Sequence, residues 1–427
     1  MNAAPPAHEQ LKKSNKRHHT PEVGESHPTH DATLHIPAFE SPSHSLEKVA
    51  QSEDVANSAS YLIRNDIEMV VDEDEETREE AASKESGHPT PFIQQRDHKL
   101  KDIARTFRSE DWAGLGDDQL AIRKYTGGLS NKLYRCTSLV DPHQKILIRV
   151  TGSSTQEDGS DVSLADRDGE LLVFQAVYKA GLGPKFYGKY KNGCVYGHVD
   201  GVQLTIEEVH KPEYAALIAK RLAQWHAKME IPDVAREPAW SLLVRKWLDL
   251  IPKNDLSHVQ REEQKEEWAA LGIDVVKEMD ELEAMLASLN TPVTFCHNDV
   301  QPMNCIYDKE SNTVGFIEGW DLGNHFCEHT GFDLDWTKFP SREKQMFFLT
   351  RYLEAFLERQ PTELELERAY VEANKFTLAS HLYWGIWGLA QAKVSDIDYD
   401  FFQYSLRRLT MYTKTKAALY TLPMPQA

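Results

Sequence analysis

Cysteine is scarce and scattered. Cys136, Cys194, Cys296, Cys305 and Cys327 are five in 427 residues, an odd number with no CxxC spacing. That pattern fits reduced thiols better than a disulfide framework or a zinc site. Long apolar runs are also missing: no stretch approaches the length a membrane-spanning helix needs, and the first residues have neither the charged start nor the apolar centre of a secretory signal. Nor is there an excess of cations. Against 48 Lys and Arg stand 67 Asp and Glu, a formal net charge of −19. A diffuse acidic surface does not attract nucleic acid or an anionic membrane. These absences place the chain in the cytoplasm, with no nucleic-acid partner and no integral membrane segment.

What is present is enough for a large core: 41% hydrophobic residues, with nine Trp and sixteen each of Tyr and Phe. The apolar content is unevenly spread. Residues 1–97 are rich in His, Ser, Pro and Glu and carry an acid run from Asp72 to Glu76. Such a composition cannot bury enough surface to offset the entropy of ordering, so this segment reads as a disordered tail. Within it, only Tyr61–Ile63 and Met69–Val71 are apolar enough to dock locally.

Beyond the tail, a helix is expected over Leu100–Arg108, then strands at Leu120–Tyr125, Lys132–Ser138 and Lys145–Val150, with Gly127 and Gly128 at a hairpin turn. A helix over Asp166–Ala180 ends at Gly181, and strands follow at Lys185–Tyr190 and Cys194–Val199. From Lys211 helices dominate: Ala215–Met229, Leu242–Leu250, Val259–Ala287, Arg342–Leu357 and Glu363–Ala392. Between them Thr294–Cys296, Asn304–Tyr307 and Val314–Ile317 form a β island. The fold class is therefore α+β: a two-lobed, protein-kinase-like arrangement with an antiparallel β-rich N-lobe over 98–205 and a mainly helical C-lobe over 206–427, preceded by the disordered tail.

Four constellations occur in the order a phosphotransferase of this kind needs. Gly127-Gly128-Leu129-Ser130-Asn131 is a glycine turn whose backbone N–H groups can cover a triphosphate, although a plain hairpin turn has the same composition. Arg149 ends an apolar strand and Glu170 lies on the next helix. A strand cation paired to a helix carboxylate is how kinases hold nucleotide phosphates, and taken singly each is also an ordinary surface charge. Asp299 is followed five residues later by Asn304 in His297-Asn-Asp-Val-Gln-Pro-Met-Asn304. This is the catalytic-loop spacing in which Asp takes the substrate hydroxyl proton and Asn ligates Mg²⁺. Finally Glu318 ends the strand Val314–Ile317, where kinases place a metal-binding carboxylate.

These residues, with Ala180–Pro184, Asp321–Glu328 and Ala379–Trp387, resemble the motifs of choline/ethanolamine kinases, in order, over nearly all of 99–416. The resemblance implies transfer of the ATP γ-phosphate to choline or ethanolamine with Mg²⁺, the first step of phospholipid synthesis by the cytidine-diphosphate route. It implies that Asp299 is the base, that Gln301 lines the amino-alcohol site, and that Gly197 and Val199 contact adenine through their backbone. Trp384, Trp387 and Tyr404 would form an aromatic cage for the ammonium group, as cation–π recognition requires. Without the resemblance the two tryptophans, one helical turn apart, read as core aromatics. Gln301 and the tryptophans tilt the reading towards choline, and a homodimer is what the family implies.

The chain departs from the family pattern at one place. The second metal motif usually reads Ile-Asp-Phe-Glu-Tyr and is followed by several residues before the Asp-Leu-Gly-Asn-His segment. Here Ile317-Glu318-Gly319-Trp320 runs directly into Asp321. Glu318 would replace the metal Asp, with Asp321 as supporting structure. The alternative reading is a catalytically impaired binding protein of the same fold, since Mg²⁺ tolerates little displacement of a ligand.

Overall fold

The computed structural model describes residues 61–71, 73–125, 131–151, 167–229, 240–251, 259, 261–297, 299–316, 321–395 and 399–426. Order begins well before residue 98. Strand β1 (Leu62–Arg64), helix α1 (Glu73–Ser86) and helix α2 (Pro91–Phe107) fold onto the first lobe, so the disordered tail expected over 1–97 is corrected for 61–97. Thr90 caps α2 by accepting from the Ile93 N–H at 3.4 Å. Pro91 sits in the first turn, where its missing N–H costs nothing. Ile93, Leu100, Ile103, Ala104 and Phe107 recur at helical spacing and turn α2's buried stripe to the sheet.

That sheet has six strands in the order β1-β5-β6-β4-β3-β2, with β2 (Leu120–Tyr125), β3 (Asn131–Ser138), β4 (Lys145–Thr151), β5 (Phe186–Tyr190) and β6 (Gly193–Gly197). β2 through β6 pair antiparallel, as expected, whereas β1 adds a parallel strand on the β5 edge. Tyr134, Ile146, Ile148 and Val195 point from the sheet onto Leu100 and Trp112 to form this lobe's core. Helix α3 (Arg167–Lys179) lies between β4 and β5 in sequence, as the glycine stop at 181 implied.

After β6 the chain crosses to the second lobe. β7 (Val202–Gln203) pairs with β8 (Cys305–Asp308), which pairs with β9 (Thr313–Phe316). The expected strand Thr294–Cys296 is not a strand: it joins no ladder. Apart from the single turn Ile206–Val209, the described helices of this lobe are α4 (Pro212–Lys228), α5 (Trp240–Leu250), α6 (Glu262–Leu271), α7 (Val275–Ala287), α8 (Leu322–Glu328), α9 (Arg342–Leu357), α10 (Glu363–Val394) and α11 (Phe401–Thr421). The single helix expected over Val259–Ala287 is two. Gly272 adopts φ 58°, a left-handed stop, and Asp274 caps α7 by accepting from the N–H groups of Val276 and Lys277. α10 starts at a capping box, in which Thr362 accepts from the Glu365 N–H and Glu365 accepts from the Thr362 N–H. It packs along α11 and against α8, while α4 packs on α9. Among the described residues no helix is long and apolar enough to cross a membrane.

Candidate active site

The polar run after residue 296 is held between two packed regions. Pro302 opens a single 3-10 turn, Pro302–Asn304, that feeds straight into β8. The turn closes with the Gln301 N–H on the Asp299 carbonyl at 2.7 Å and the Asn304 N–H on the Gln301 carbonyl at 3.0 Å. It thereby gathers three side chains. Asp299 Oδ2 accepts from Asn304 Nδ2 at 2.6 Å and from Gln301 Nε2 at 2.8 Å, and Asn304 Nδ2 also reaches the Asp299 carbonyl at 3.0 Å. Because the NH₂ of Asn304 is turned to Asp299, its Oδ1 is turned the other way. An amide oxygen and a carboxylate oxygen are hard donors, and this end of the loop fits Mg²⁺ in kind.

The loop is fixed from behind by Asp321. One carboxylate oxygen accepts the His297 N–H at 2.9 Å and the other bonds His226 Nε2 at 2.6 Å. The same imidazole bonds the Tyr352 hydroxyl through Nδ1 at 2.7 Å. Asp321 is therefore a strut joining the loop to α4 and α9, as the supporting reading expected, with both oxygens already committed. Cys296 lies beside this pair, and desolvation pushes its thiol well above the ordinary range. A metal among the three would displace the hydrogen bonds that position the loop. From the other side His325 Nδ1 donates to the Val300 carbonyl at 2.7 Å, and burial drives the pKa of His325 down to about 4, so it stays neutral.

Helix α8 links this loop to the aromatic residues. Asn324, adjacent to His325, accepts from Ser380 Oγ at 2.6 Å and from Trp384 Nε1 at 2.9 Å. Trp384 and Trp387 meet edge to face at 5.3 Å, and Trp387 meets Tyr404 the same way at 6.1 Å, so the three expected cage residues are brought together. α8 can lie this close to α10 because Gly323 has no side chain; a Cβ there would stand 2.7 Å from the Ala373 carbonyl oxygen. Sequence reasoning missed the charge beneath the cluster. Glu328 and Arg408 form a buried pair at 2.6 Å, Arg408 Nε donates to the Tyr404 hydroxyl at 3.0 Å, and the guanidinium lies over the Trp336 and Tyr404 rings. An Arg at the helical spacing of the mostly apolar stripe Phe401, Phe402, Ser405, Leu409 and Tyr412 is the signal that could have found it.

The nucleotide candidates divide. Arg149 is buried on β4, with its guanidinium 5.9 Å from the Phe174 ring. Phe174 is one turn along α3 from Glu170, so strand cation and helix face each other, while the Glu170 side chain lies outside the described residues. Gly197 ends β6 opposite Ile146, its N–H on the Lys185 carbonyl at 2.7 Å, and Val199 follows in the crossing to β7. Asn131 opens β3 opposite Thr151. Gly127, Gly128, Ser130 and Glu318 lie outside the described residues.

Comparison with known proteins settles the family. The model of the choline/ethanolamine kinase family matches residues 122–413. The chain belongs to the choline/ethanolamine kinase family. The kinase is 38% identical over 335 residues to a probable ethanolamine kinase A of Dictyostelium discoideum, covering 74% of this chain and 91% of that protein. It is 33% identical over 325 residues to ethanolamine kinase 2 of Mus musculus, covering 72% and 80%. Among solved structures, an ethanolamine kinase of Plasmodium vivax shares the fold with a TM-score of 0.60 at 24% identity, covering 71% and 85%. A choline kinase of Cryptosporidium parvum does so with a TM-score of 0.62 at 21%, covering 75% and 95%.

Proposed function

We propose that the kinase transfers the γ-phosphoryl group of ATP to the hydroxyl of ethanolamine. The observation that carries this is the turn at 299–304, where Asp299, Gln301 and Asn304 converge on one carboxylate oxygen of a loop locked by Asp321. Asp299 accepts the hydroxyl proton as the alcohol oxygen attacks phosphorus and ADP departs, and the rigid loop supplies the alignment on which phosphoryl transfer depends. Arg149 holds the phosphates beneath α3, and the backbone at Gly197 and Val199 receives the adenine. Mg²⁺, when bound, neutralises phosphate charge; Asn304 and Glu318 are its ligands in this reading. Trp384, Trp387 and Tyr404 face the ammonium group. The named relatives shift the choice from choline, to which Gln301 and the tryptophans tilted, to ethanolamine.

Purified protein with Mg²⁺, labelled ATP and either ethanolamine or choline tests the proposal. Labelled phosphoethanolamine is expected in excess over phosphocholine. Asp299→Asn is expected to lower kcat by about 10²- to 10⁴-fold while nucleotide binding persists. Full turnover by Asp299→Asn would rule the base assignment out. Nucleotide binding without any product would favour the impaired-enzyme reading, with the short Ile317–Asp321 connection as its cause.

A further inference from the structure

The acid run that opens α1 includes a carboxylate that is not on the surface. Glu76 is fully buried, although its neighbours along the helix are exposed. Its Oε1 accepts from Arg96 Nη1 of α2 at 2.8 Å and from the Tyr134 hydroxyl at 2.7 Å, and its Oε2 accepts from Lys124 Nζ at 2.8 Å. Lys132 Nζ stands 3.7 Å from Oε2 and donates to the Val71 carbonyl at 2.9 Å. Lys124 and Tyr134 are directly opposite each other in the β2–β3 ladder, one pair short of the end that flanks residues 126–130. One carboxylate thus staples the two strands that flank residues 126–130, and the next β3 residue, Leu133, pairs with Arg149 on β4.

A second set of contacts carries the same segment to the far edge of the sheet. β1 pairs with β5 in the register Leu62↔Gly188 and Arg64↔Tyr190, and Tyr190 donates its hydroxyl to the Arg149 carbonyl at 2.8 Å. Gly188, at φ 153°, is required for this approach: a Cβ there would lie 2.0 Å from the Leu62 carbonyl oxygen. Between the two anchors Met69 is buried, and its N–H and carbonyl are both bonded by Asn192 in the β5–β6 turn. The segment 61–86 itself precedes residue 122, where the family match begins, while most of the residues it holds lie within the match.

We propose that Glu76 is a positioning residue for the nucleotide half of the site, acting through β2, β3 and β4, with residues 61–86 as the clip that delivers it. The inference rests on the reading that the N-lobe sheet receives ATP. The physical ground is that one buried carboxylate joins Lys124, Tyr134 and Arg96: without its charge Arg96 keeps Glu80 and Asp97 and Lys124 keeps Glu80 at 3.4 Å, but the shared acceptor that ties β2 and β3 to α2 is weakened. Strands that carry Arg149 and flank residues 126–130 then lose their fixed position relative to the nucleotide.

The test is steady-state kinetics on full-length Glu76→Gln and Lys124→Met, with ATP and ethanolamine varied separately, together with equilibrium binding of a fluorescent ATP analogue without amino alcohol. Both variants are expected to raise the ATP KM and the analogue Kd by about fivefold, which is about 1 kcal/mol. The ethanolamine KM should be unmoved and kcat at saturating ATP within about twofold of wild type. Lys124→Met keeps Glu76 paired with Arg96, so it remains informative if Glu76→Gln does not fold. A folded variant with an unchanged ATP KM overturns the positioning role, as does an equal rise in both KM values, which is the mark of general loosening. Wild-type protein that does not bind the analogue overturns the reading of the N-lobe itself.

Discussion

At the residue scale the proposed site divides into groups assigned to substrate and groups that hold those in place. Asp299 and Asn304 were legible because their relation is local: five residues and one proline-led turn decide the geometry, and spacing alone records it. The strut was less legible. Asp321 is 24 positions from His297 and 95 from His226, and nothing in the local pattern says which groups it meets. Its replacement is expected to cost more than one hydrogen bond. Asp321→Asn keeps an acceptor for the His297 N–H but removes the charge that fixes His226, leaving buried polar groups mismatched at about 1–3 kcal/mol. Urea denaturation should show that loss, and kcat should fall at least about tenfold with the ATP KM little changed, because the loop and not the N-lobe is loosened. Unaltered kcat in a folded Asp321→Asn protein would show that the strut is dispensable for chemistry.

At the element scale α8 is the part on which both halves of the proposed amino-alcohol site depend: His325 holds the loop at 297–304 and Asn324 holds Trp384. Its seat on α10 depends on Gly323, because a Cβ would press on backbone, at 2.7 Å from the Ala373 carbonyl oxygen and 2.8 Å from the Phe376 carbonyl carbon, and backbone cannot rotate away. Gly323→Ala is expected to destabilise by about 1–3 kcal/mol, an overpacking cost, and to raise the ethanolamine KM by shifting Asn324 and Trp384 together. Thermal melting and substrate titration check the two halves; a higher melting temperature would mean the helices separate without strain. The strongly periodic elements were legible: β2 and α9 fall at the expected residues. Two errors have distinct physical causes. Residues 259–287 carry charge along their length, so periodicity ran through Gly272 where backbone conformation ends the helix. α1, with the sequence EDEETREEAASKES, has no apolar stripe to detect, since a single buried carboxylate and not an apolar face ties it down.

At the scale of the whole molecule the net charge of −19 said nothing about where charge is buried, and acid stability depends on that. Several histidines are held neutral inside the second lobe. Burial is the leading cause for His325, lowered to about 4, and for His329 and His381, both lowered further by neighbouring cationic or imidazole groups. In the unfolded chain these residues titrate near 6.5, so as the pH falls through that value the unfolded state takes up protons that the folded state does not. The stability these groups give is therefore complete above about 6.5 and declines until the folded pKa is reached. For His325 alone the shift corresponds to about 3 kcal/mol. Glu76 acts lower on the scale. Burial pushes its carboxyl up, but the hydrogen bonds from Lys124, Tyr134 and Arg96 outweigh burial and hold it below 4.5, so its contribution persists to lower pH and disappears only when that depressed value is crossed. Two stages of acid loss are thus expected: a broad one beginning below about pH 6.5 from the second lobe, and a later one, below the ordinary Glu range, from the first. Denaturant midpoints measured at half-unit steps from pH 7.5 to 3.5 resolve them. His325→Asn should flatten the upper stage and Glu76→Gln the lower one. A midpoint that does not change between pH 7 and 5 would mean that the buried imidazoles take up protons in place, and that water reaches the back of the catalytic loop.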